Sequence, residues 1–338
     1  MPFPIERKLV IGVASSALFD LRESHQVYLD SGEDGYRRYQ EEHVDILLKP
    51  GVAFPFIRGF LGINGRFRRR MPVEVVLLSR NSPETGLRVM KSIEHYGLAI
   101  SRAAFVTGNS PYPYLPAFNA ALFLSANEAD VRQALAAGHA AGLVLPAGPD
   151  ASDVQTGVEE PGEELRIAFD YDGVIADDEA ETVYKRNNNV DEFHSHETRH
   201  VAVPHGPGPF ARLFRQLHAI QRIEARLARR WPSYRKQLRV AIVTARNAPS
   251  HERVVTTLKS WGVSADETFF LGGMDKARVL AVFKPHIFFD DQLDHLAAPV
   301  ERVAMVHVPF GIANAPRGDA DAGSTPAGPD DVEKPLRL

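Results

Sequence analysis

The sequence of 338 residues repeats itself, and this repeat limits the folds that the chain can adopt. Leu9–Tyr28 aligns without a gap with Leu165–Tyr184, and the two stretches share identical residues at five of the aligned positions. Three further pairs of segments match in the same order: 48–61 with 204–217, 75–83 with 241–249, and 117–131 with 282–296. Chance similarity seldom keeps order and spacing in this way. We therefore predict two copies of one unit, over residues 1–145 and 165–313.

Each copy alternates short apolar runs with helical patterns. The runs KLVIGVA, VEVVLLS, LRIAFDY, RVAIVTA and HIFFDD are bounded by polar turns and are typical of interior parallel strands. This alternation predicts an α/β fold with a parallel sheet, in which ligands bind at the carboxyl ends of the strands. Residues 146–164, rich in proline, glycine and acids, are the predicted linker. Residues 314–338 contain few large apolar side chains and form a predicted disordered tail.

The composition narrows the classes of function. The formal net charge of −4 gives no general attraction to nucleic acid or to an anionic membrane. The chain has no cysteine, which excludes disulfides and thiolate metal sites and fits a reducing compartment. We see neither a secretory leader nor an apolar run of about 18 residues. The sequence predicts a cytoplasmic protein with a small-molecule partner, and leaves assembly into homo-oligomers open.

The two copies differ where their predicted strands end. In the second copy these places carry six polar residues: Asp170, Asp172, Thr244, Lys276, Asp290 and Asp291. The aligned residues of the first copy are Ala14, Ser16, Leu78, Pro111, Ser125 and Ala126. The first copy keeps the apolar strands and has none of the ionisable groups. Acids that only capped turns would survive in part, so we predict one active site in the second copy and a degenerate first copy.

The polar residues of the second copy suit metal-assisted phosphoryl transfer. Asp170 can act as a nucleophile, and Asp172, two residues later, can protonate a leaving alkoxide and then activate water. Asp290 and Asp291 offer hard oxygen ligands that, with Asp170, predict a Mg²⁺ site. Each element alone has a plainer explanation, since two acids in a turn are usually solvated. Their occurrence together at strand ends favours catalysis.

Thr244 and Lys276 complete this predicted chemistry. Thr244 follows the run AIV and can donate a hydrogen bond to phosphoryl oxygens, while Lys276 can balance the charge that develops on them. Lys284 is a rival for the role of Lys276. We favour Lys276 because the stretch GGMDKARVL places it at the start of a helix, whereas Lys284 directly precedes Pro285.

These motifs resemble the haloacid dehalogenase superfamily of phosphohydrolases. FDYDGV looks like its first motif, IVTARN its second, Lys276 its third and FFDDQ its acidic fourth. More narrowly, the stretches SSALFDL, LKPGVAFP, LLSRNSPETGLRV, VTARNAPSHERV, FFLGG and HIFFDDQ resemble the type I cytosolic 5'-nucleotidases over most of residues 8–311. Relatives read closer to FDGDAV, whereas this chain has Tyr171 and Gly173.

The resemblance implies a haloacid dehalogenase-like, Rossmann-type sheet with a helical cap insertion near residues 180–210. It also implies Mg²⁺-dependent hydrolysis of nucleoside 5'-monophosphates, with AMP as the expected substrate. Carried onto this chain, the implied site comprises three sets. They are the catalytic residues Asp170, Asp172, Thr244 and Lys276, the substrate-binding residues Thr244, Ala245, Arg246 and Lys276, and the metal-binding residues Asp170, Asp172, Asp290 and Asp291.

Several alternatives remain open at this point. The substrate can instead be another small phosphomonoester, or the protein can be a nucleotide-binding regulator without turnover. Arg246 and Asn247 align with Arg80 and Asn81, so a structural role competes with substrate binding. Asp177 and Asp178 are undecided. Glu179 recurs as Glu23 and is a structural candidate.

Overall fold

The computed structural model describes residues 4–67, 71–146, 164–187 and 189–315. Most of the predicted linker and of the predicted tail lies outside these residues. The strands are β1 (Leu9–Val13), β2 (Val73–Ser79), β3 (Arg102–Phe105), β4 (Ala120–Ser125), β5 (Ala141–Val144), β6 (Leu165–Phe169), β7 (Leu238–Thr244), β8 (Glu267–Phe270), β9 (Ile287–Asp290) and β10 (Ala304–His307). All five apolar runs predicted as strands are confirmed.

The α-helices connect these strands in the manner of an α/β protein. They are α1 (Ser15–Leu18), α2 (Arg22–Glu42), α3 (Phe54–Gly62), α4 (Leu87–His95), α5 (Glu128–Ala136), α6 (Glu179–Asn187), α7 (Val190–Arg199), α8 (Ala211–Arg230), α9 (His251–Ser260), α10 (Ala277–Phe283) and α11 (Leu293–Leu296). Within the described ranges, no helix is both long and apolar enough to cross a bilayer.

All ten strands join one sheet in the order β3-β2-β1-β4-β5-β10-β9-β6-β7-β8. The first five strands have the order 3-2-1-4-5. Read from the opposite edge, the last five have the equivalent order 8-7-6-9-10. Neighbouring strands are parallel except β5 and β10, which pair antiparallel through Val144 with Val306 and Leu143 with His307. The prediction of a mainly parallel, Rossmann-like sheet is confirmed.

The central strands are apolar because helices cover both faces of the sheet. Every residue of β1, β2 and β9 is buried, which explains their nearly continuous apolar sequences. In the second half, Phe169 of β6 stacks on Phe289 of β9 with ring centroids 5.1 Å apart, and Phe210 and Phe214 pack against it. Burial of each such ring contributes roughly 2 to 3 kcal/mol. This packing holds β6 and β9 side by side.

Both halves carry a helical insertion after their first strand. Helices α1 to α3 separate β1 from β2, and α6 to α8 separate β6 from β7. In each insertion an isolated bridge reaches a Pro-Gly pair: Phe19 bonds with Pro50, and Ala176 with Pro207. A Cβ on the following Gly51 or Gly208 would lie within 2.8 Å of backbone atoms, so only glycine allows the chains to approach.

The structure corrects one detail of the sequence alignment. The aligned partner of Thr244 in the first half was Leu78, but the structure places Ser79 there. Ser79 and Thr244 both end their strands, and each side-chain oxygen accepts a hydrogen bond from the backbone N–H two residues later. Leu77 and Ile242 face the same core, as do the alternate residues along each strand. A shift of one residue would reverse these faces.

This correction also changes the counterpart of Arg246. Gly272 N–H donates to the Arg246 carbonyl, and the equivalent bond in the first half runs from Thr107 N–H to the carbonyl of Asn81. Arg246 therefore corresponds in space to Asn81, and Ala245 corresponds to Arg80. The shared Arg-Asn letters of the two segments do not mark equivalent positions.

Candidate active site

The carboxyl ends of β6, β7 and β9 bring the predicted residues to one edge of the sheet. Asp170 follows β6, and its backbone N–H donates to the carbonyl of Phe289 at 2.7 Å, which ties it to β9. Thr244 ends β7 and Asp290 ends β9. Because β6 lies between β7 and β9, these three residues lie at neighbouring strand ends of the second half, as the sequence predicts.

Lys276 lies between two of these carboxylates. Its Nζ is 2.8 Å from Asp170 Oδ2 and 2.7 Å from Asp290 Oδ2, and all three side chains are buried. Burial alone would lower the pKa of Lys276, but the two carboxylates raise it. Burial alone would raise the pKa of Asp290, but the charge of Lys276 lowers it. Lys276 is therefore held as an ammonium group beside the predicted nucleophile.

For Asp170 and Asp291, unlike Asp290, the pKa is raised above its ordinary value. Burial, which outweighs the effect of Lys276, raises the pKa of Asp170 to about 7. Burial and the nearby Asp170 and Glu181 raise the pKa of Asp291 to about 10. Neither carboxylate oxygen of Asp291 has a hydrogen-bond partner among the described residues. A buried carboxylate without a partner is costly, so the site calls for a further cation.

The chemistry of this donor set fits a divalent cation such as Mg²⁺. Asp170, Asp290 and Asp291 supply three buried carboxylates, which Lys276 alone does not neutralise. Ligand atoms of Asp170, Asp290 and His295 all lie within 4.8 Å of one another. Mg²⁺ prefers oxygen ligands to imidazole nitrogen, which favours the carboxylates.

The two adjacent acids at the end of β9 differ in how many of their carboxylate oxygens already have hydrogen-bond partners. Asp290 already accepts hydrogen bonds from Lys276 and from the backbone N–H of Gln292, and His295 Nδ1 lies 3.1 Å from its Oδ1. Asp291 keeps both oxygens unbonded within the described part of the chain. Of the two, Asp291 thus has the oxygens that a metal ion can take without breaking existing bonds.

Asp172 lies apart from the metal-ligand group. Arg246 binds it with two parallel hydrogen bonds, from Nε to Oδ2 and from Nη2 to Oδ1, each 2.7 Å long. Such bidentate pairs fix both the position and the orientation of a carboxylate. The Asp172 carboxylate was predicted as a metal ligand, and the structure places it with Arg246 instead of with Asp170, Asp290 and His295.

Arg246 connects Asp172 to the helical insertion. Glu197 of α7 is fully buried, and its carboxylate accepts hydrogen bonds from both Arg246 and Arg253. Burial would raise the pKa of Glu197, but hydrogen bonds from His205 and Arg246 and their charges lower it to about 2. The guanidinium group also lies over the ring of Phe193, 5.3 Å from its centroid. A network of buried polar groups therefore joins the insertion to Asp172.

Tyr171, between the two predicted catalytic acids, packs under the same network. Its hydroxyl lies 3.0 Å from His205 Nδ1, and His205 Nε2 lies 3.2 Å from Arg246 Nη2. The Arg246 guanidinium lies 5.4 Å from the Tyr171 ring centroid. Burial raises the pKa of the Tyr171 phenol, which keeps the group protonated. By packing and hydrogen bonding, Tyr171 thus stabilises the loop that carries Asp170 and Asp172.

The remaining predicted residues are placed as follows. Thr244 is buried beside the site, and Ala245 is exposed after it, with its carbonyl accepting from Gly273 N–H. Lys284 is exposed at the end of α10, with a left-handed backbone conformation. The structure brings Lys276, and not Lys284, to the acids.

The undecided acids after the first motif have structural contacts. Asp178 accepts a hydrogen bond from the backbone N–H of Ile312 at 2.6 Å and anchors the segment after β10. Glu179 accepts a hydrogen bond from Arg253 at 2.9 Å. Asp177 is half-buried, and one of its oxygens has no partner among the described residues. Burial raises the pKa of this carboxyl.

Comparison with known proteins shows the family of this chain. A family model described as 5'-nucleotidase matches residues 1–315. The chain belongs to the 5'-nucleotidase family. This family member is 32% identical over 307 residues to human cytosolic 5'-nucleotidase 1B, a match that covers 87% of this chain and 48% of the relative. It therefore spans about half the length of the curated relative that it matches.

The match to solved structures adds nothing to the fold of this 5'-nucleotidase family member. A crystal structure of histidinol dehydrogenase from Elizabethkingia anophelis aligns with 74% of this chain and 48% of its own, at 10% sequence identity. Its TM-score of 0.19 is too low to support a common fold.

Three residues of the site were missed by the sequence. Glu197 and His205 lie in the insertion, far along the chain from the motifs that they contact, and polar residues there resemble a solvated surface. His295 lies five residues after Asp290, and its approach requires the turn into α11. A buried charge in the insertion gives no periodic signal, so only the three-dimensional contacts reveal it.

Proposed function

We propose that this protein is a Mg²⁺-dependent 5'-nucleotidase that hydrolyses nucleoside 5'-monophosphates, with AMP favoured, to nucleoside and phosphate. The observation that carries the proposal is the buried group of Asp170, Asp290, Asp291 and Lys276 at the carboxyl ends of parallel strands. Family membership supports the reaction class, and the relative named cytosolic 5'-nucleotidase 1B supports a nucleotide substrate and a cytoplasmic location.

In this proposal Asp170 attacks the phosphorus atom of the substrate and forms an aspartyl-phosphate. The bond from phosphorus to the 5'-oxygen breaks, and water later releases phosphate from Asp170. The attack needs the carboxylate form, which the ammonium group of Lys276 at 2.8 Å favours. Lys276 and Thr244 also lie where they can bind phosphoryl oxygens as charge develops on them.

Asp172 is proposed to protonate the leaving 5'-oxygen and then to activate water. Both of its oxygens accept hydrogen bonds from Arg246, so in this arrangement neither oxygen is directed at a substrate. We therefore propose that the pair with Arg246 opens when substrate binds. Glu197 remains bonded to Arg246 and can hold the guanidinium while Asp172 turns toward the substrate.

The residues that would hold Mg²⁺ are Asp170, Asp290 and Asp291, with Asp291 offering free oxygens. When bound, the ion would reduce the repulsion between these carboxylates and the phosphate and would polarise the phosphoryl group. Asp172 would stay outside the direct ligand set, because it pairs with Arg246 and not with the other acids, which modifies the prediction made from sequence.

The finer description of the fold belongs to the same proposal. The equivalent strand order and the paired Pro-Gly contacts support an internal duplication with a degenerate first half. Helix α7, within the region predicted as a cap, contributes Glu197 and Phe193 to the Arg246 network. These contacts support a haloacid dehalogenase-like catalytic half with a cap.

The decisive experiment is a phosphate-release screen. Purified protein is incubated with nucleoside 5'-monophosphates and with sugar phosphates, in Mg²⁺ and in EDTA. We expect Mg²⁺-dependent release from nucleotides, fastest from AMP. Release from sugar phosphates alone would favour a phosphatase for another small phosphomonoester. Nucleotide binding without any release would favour a non-catalytic regulator, which would have no use for the paired Asp170 and Lys276.

A further inference from the structure

A cavity of about 970 Å³ lies at the carboxyl ends of β1, β2 and β4, in the half without the acids. Its floor includes the strand-end residues Ala14, Ser16, Ser125 and Ala126. Ala14 N–H donates to the carbonyl of Leu124, as Asp170 N–H does to that of Phe289. The cavity therefore occupies the place in the first half that the acidic site occupies in the second. Its volume falls in the usual range for small-molecule sites, about 300–1,000 Å³.

The floor of the cavity has hydroxyl groups and methyl groups where the second half has charges. Ser15 and Ser125 line the cavity, and Ser125 stands at the place of Asp290. The Ser15 hydroxyl bonds at 3.0 Å to that of Ser79, which stands at the place of Thr244. Among the described residues of the first half, no three acids or histidines have ligand atoms within 4.8 Å of one another. The described part of the first half thus offers neither a nucleophilic carboxylate at the floor nor a metal site.

Helix α2 supplies an aromatic wall. His25 and Tyr28, one turn apart, line the cavity, and so does Tyr36, which follows a kink at Gly32 and whose ring centroid lies 6.2 Å from that of Tyr28. The His25 and Tyr28 rings are nearly parallel, with centroids 6.4 Å apart, and Tyr28 is 49% exposed. The Tyr36 hydroxyl donates to Asn81, the spatial counterpart of Arg246, which fixes this wall against β2. An exposed ring at the wall of a cavity suits stacking with a flat heteroaromatic ring.

Among the described residues that line the cavity, Lys49 is the one lysine or arginine without an ion pair to a carboxylate. Arg22 pairs with Asp20, Arg37 with Glu33, and Arg80 with Asp130, and all six residues line the cavity. Lys49 also lines it and is exposed. Its charge contributes to a lowered pKa of Asp20, after the larger effect of Arg22. One ammonium group in a cavity that also has serine hydroxyls suits a ligand with one small anionic group.

We propose that this cavity binds a nucleoside monophosphate without a metal ion and without hydrolysing it. The base would stack on the aromatic wall of α2, and the phosphate would bind near Lys49 and the serine hydroxyls. The choice of a nucleotide rests on the proposed function. Binding itself does not, because the cavity needs no Asp170, no Mg²⁺ and no turnover.

The test measures AMP binding by calorimetry in EDTA, using full-length protein that carries Asp170→Asn to prevent turnover. Ala126→Trp fills the floor of the cavity, and Val282→Trp adds the same side chain at a position that is 83% exposed. We expect the first substitution to weaken AMP binding at least tenfold and the second to leave it unchanged. Equal AMP affinity in the two variants would overturn the proposal.

Two further measurements define the ligand and guard against misfolding. Lys49→Glu should weaken binding of AMP about tenfold and leave binding of adenosine unchanged, since it reverses one exposed charge. Tyr28→Ala, also at an exposed position, should weaken both ligands, and it decides the matter if Ala126→Trp fails to fold. Inorganic phosphate that binds as tightly as AMP would disprove recognition of the base. A failed phosphate-release screen would leave these binding results unaffected, so the two proposals fail separately.

Discussion

The two halves of the sheet have the same strand order but opposite chemistry at their strand ends. In the first half the ends carry alanine and serine around an open cavity. In the second half they carry buried acids, a buried lysine and a buried arginine. The first half shows that this strand arrangement forms without the charges. Since buried charges usually reduce stability unless they are fully paired, the second half keeps them for another purpose, which we take to be catalysis.

The largest expected effect is on turnover. Asp170→Asn should reduce the rate of phosphate release by on the order of 10⁴-fold or more, because it removes the nucleophile. Circular dichroism should show an unchanged fold, since the aligned Ala14 supports the same local structure. Near-normal rates in this variant would mean that another group attacks the phosphorus. The substitution Ala14→Asp in the first half should create no second activity, because the other site residues are absent there.

The next effect compares Arg246 with its counterpart Asn81. Arg246→Met leaves Asp172 and Glu197 without their common partner and should lower the free energy of unfolding by about 3 to 5 kcal/mol. Asn81→Ala removes one neutral hydrogen bond to Tyr36 and should cost about 1 kcal/mol. Urea denaturation measures both. Similar losses would show that the two halves depend equally on this position.

Lys276 and Lys284 provide a comparison within the second half. Lys276→Ala should reduce kcat by roughly 10²–10³-fold, the usual effect of losing a group that stabilises developing charge. Lys284→Ala should leave kcat within about twofold, because surface substitutions usually have small effects. Steady-state kinetics with AMP decides between them. The reverse result would assign the catalytic role to Lys284.

Asp291 and its counterpart Ala126 separate metal binding from folding. Mg²⁺ at about 100 times its Kd should stabilise the native protein by about 2.7 kcal/mol. We expect Asp291→Asn to lose most of this gain, because Asp291 carries the free carboxylate oxygens. Thermal unfolding with and without Mg²⁺ measures the difference. If Asp290→Asn removed the gain and Asp291→Asn did not, Asp290 would be the direct ligand.

The smallest effect concerns acid stability and Glu197. The native pKa of about 2 lies below the ordinary value of 4.5, so this carboxylate stabilises the fold above about pH 4.5 and loses that effect as the pH falls toward 2. Between about pH 5 and about pH 3.5 the loss should be about 1 kcal/mol. Glu197→Gln should lack this part of the pH dependence. Tyr36→Phe, at the matching contact of α2, should keep it.

The strand pattern and the main site could be predicted because both depend on local sequence. Apolar runs buried on two faces identify parallel strands, and acids directly after such runs must lie at the edge of the sheet. Asp170, Thr244 and Asp290 follow from this reasoning, whereas Lys276 was chosen from its position at the start of a helix. Comparing the two matched halves of the sequence also showed which half carries the charged residues.

The role of Arg246 could not be predicted in the same way. Identical letters aligned it with Arg80, whereas the alternation of side chains across β2 and β7 places Asn81 at its position. When the turns of two segments differ in length by one residue, an alignment without gaps cannot show that difference. The contact of Arg246 with Glu197 also depends on how α7 folds back over the sheet. Such tertiary contacts leave no periodic trace in the sequence.

The antiparallel pairing of β5 with β10 has a consequence for how the two halves can influence each other. All strands of the first half run parallel to β5, and all strands of the second half run parallel to β10. The carboxyl ends of the two sets therefore point in opposite directions. Two ligands bound at these ends would enter from opposite sides of the protein and would never compete for space. Any signal between them would have to cross from one half to the other, through the short seam formed by Leu143, Val144, Val306 and His307 or through the helices that pack against the opposite half, as Arg212 of α8 does where it donates to Asn119.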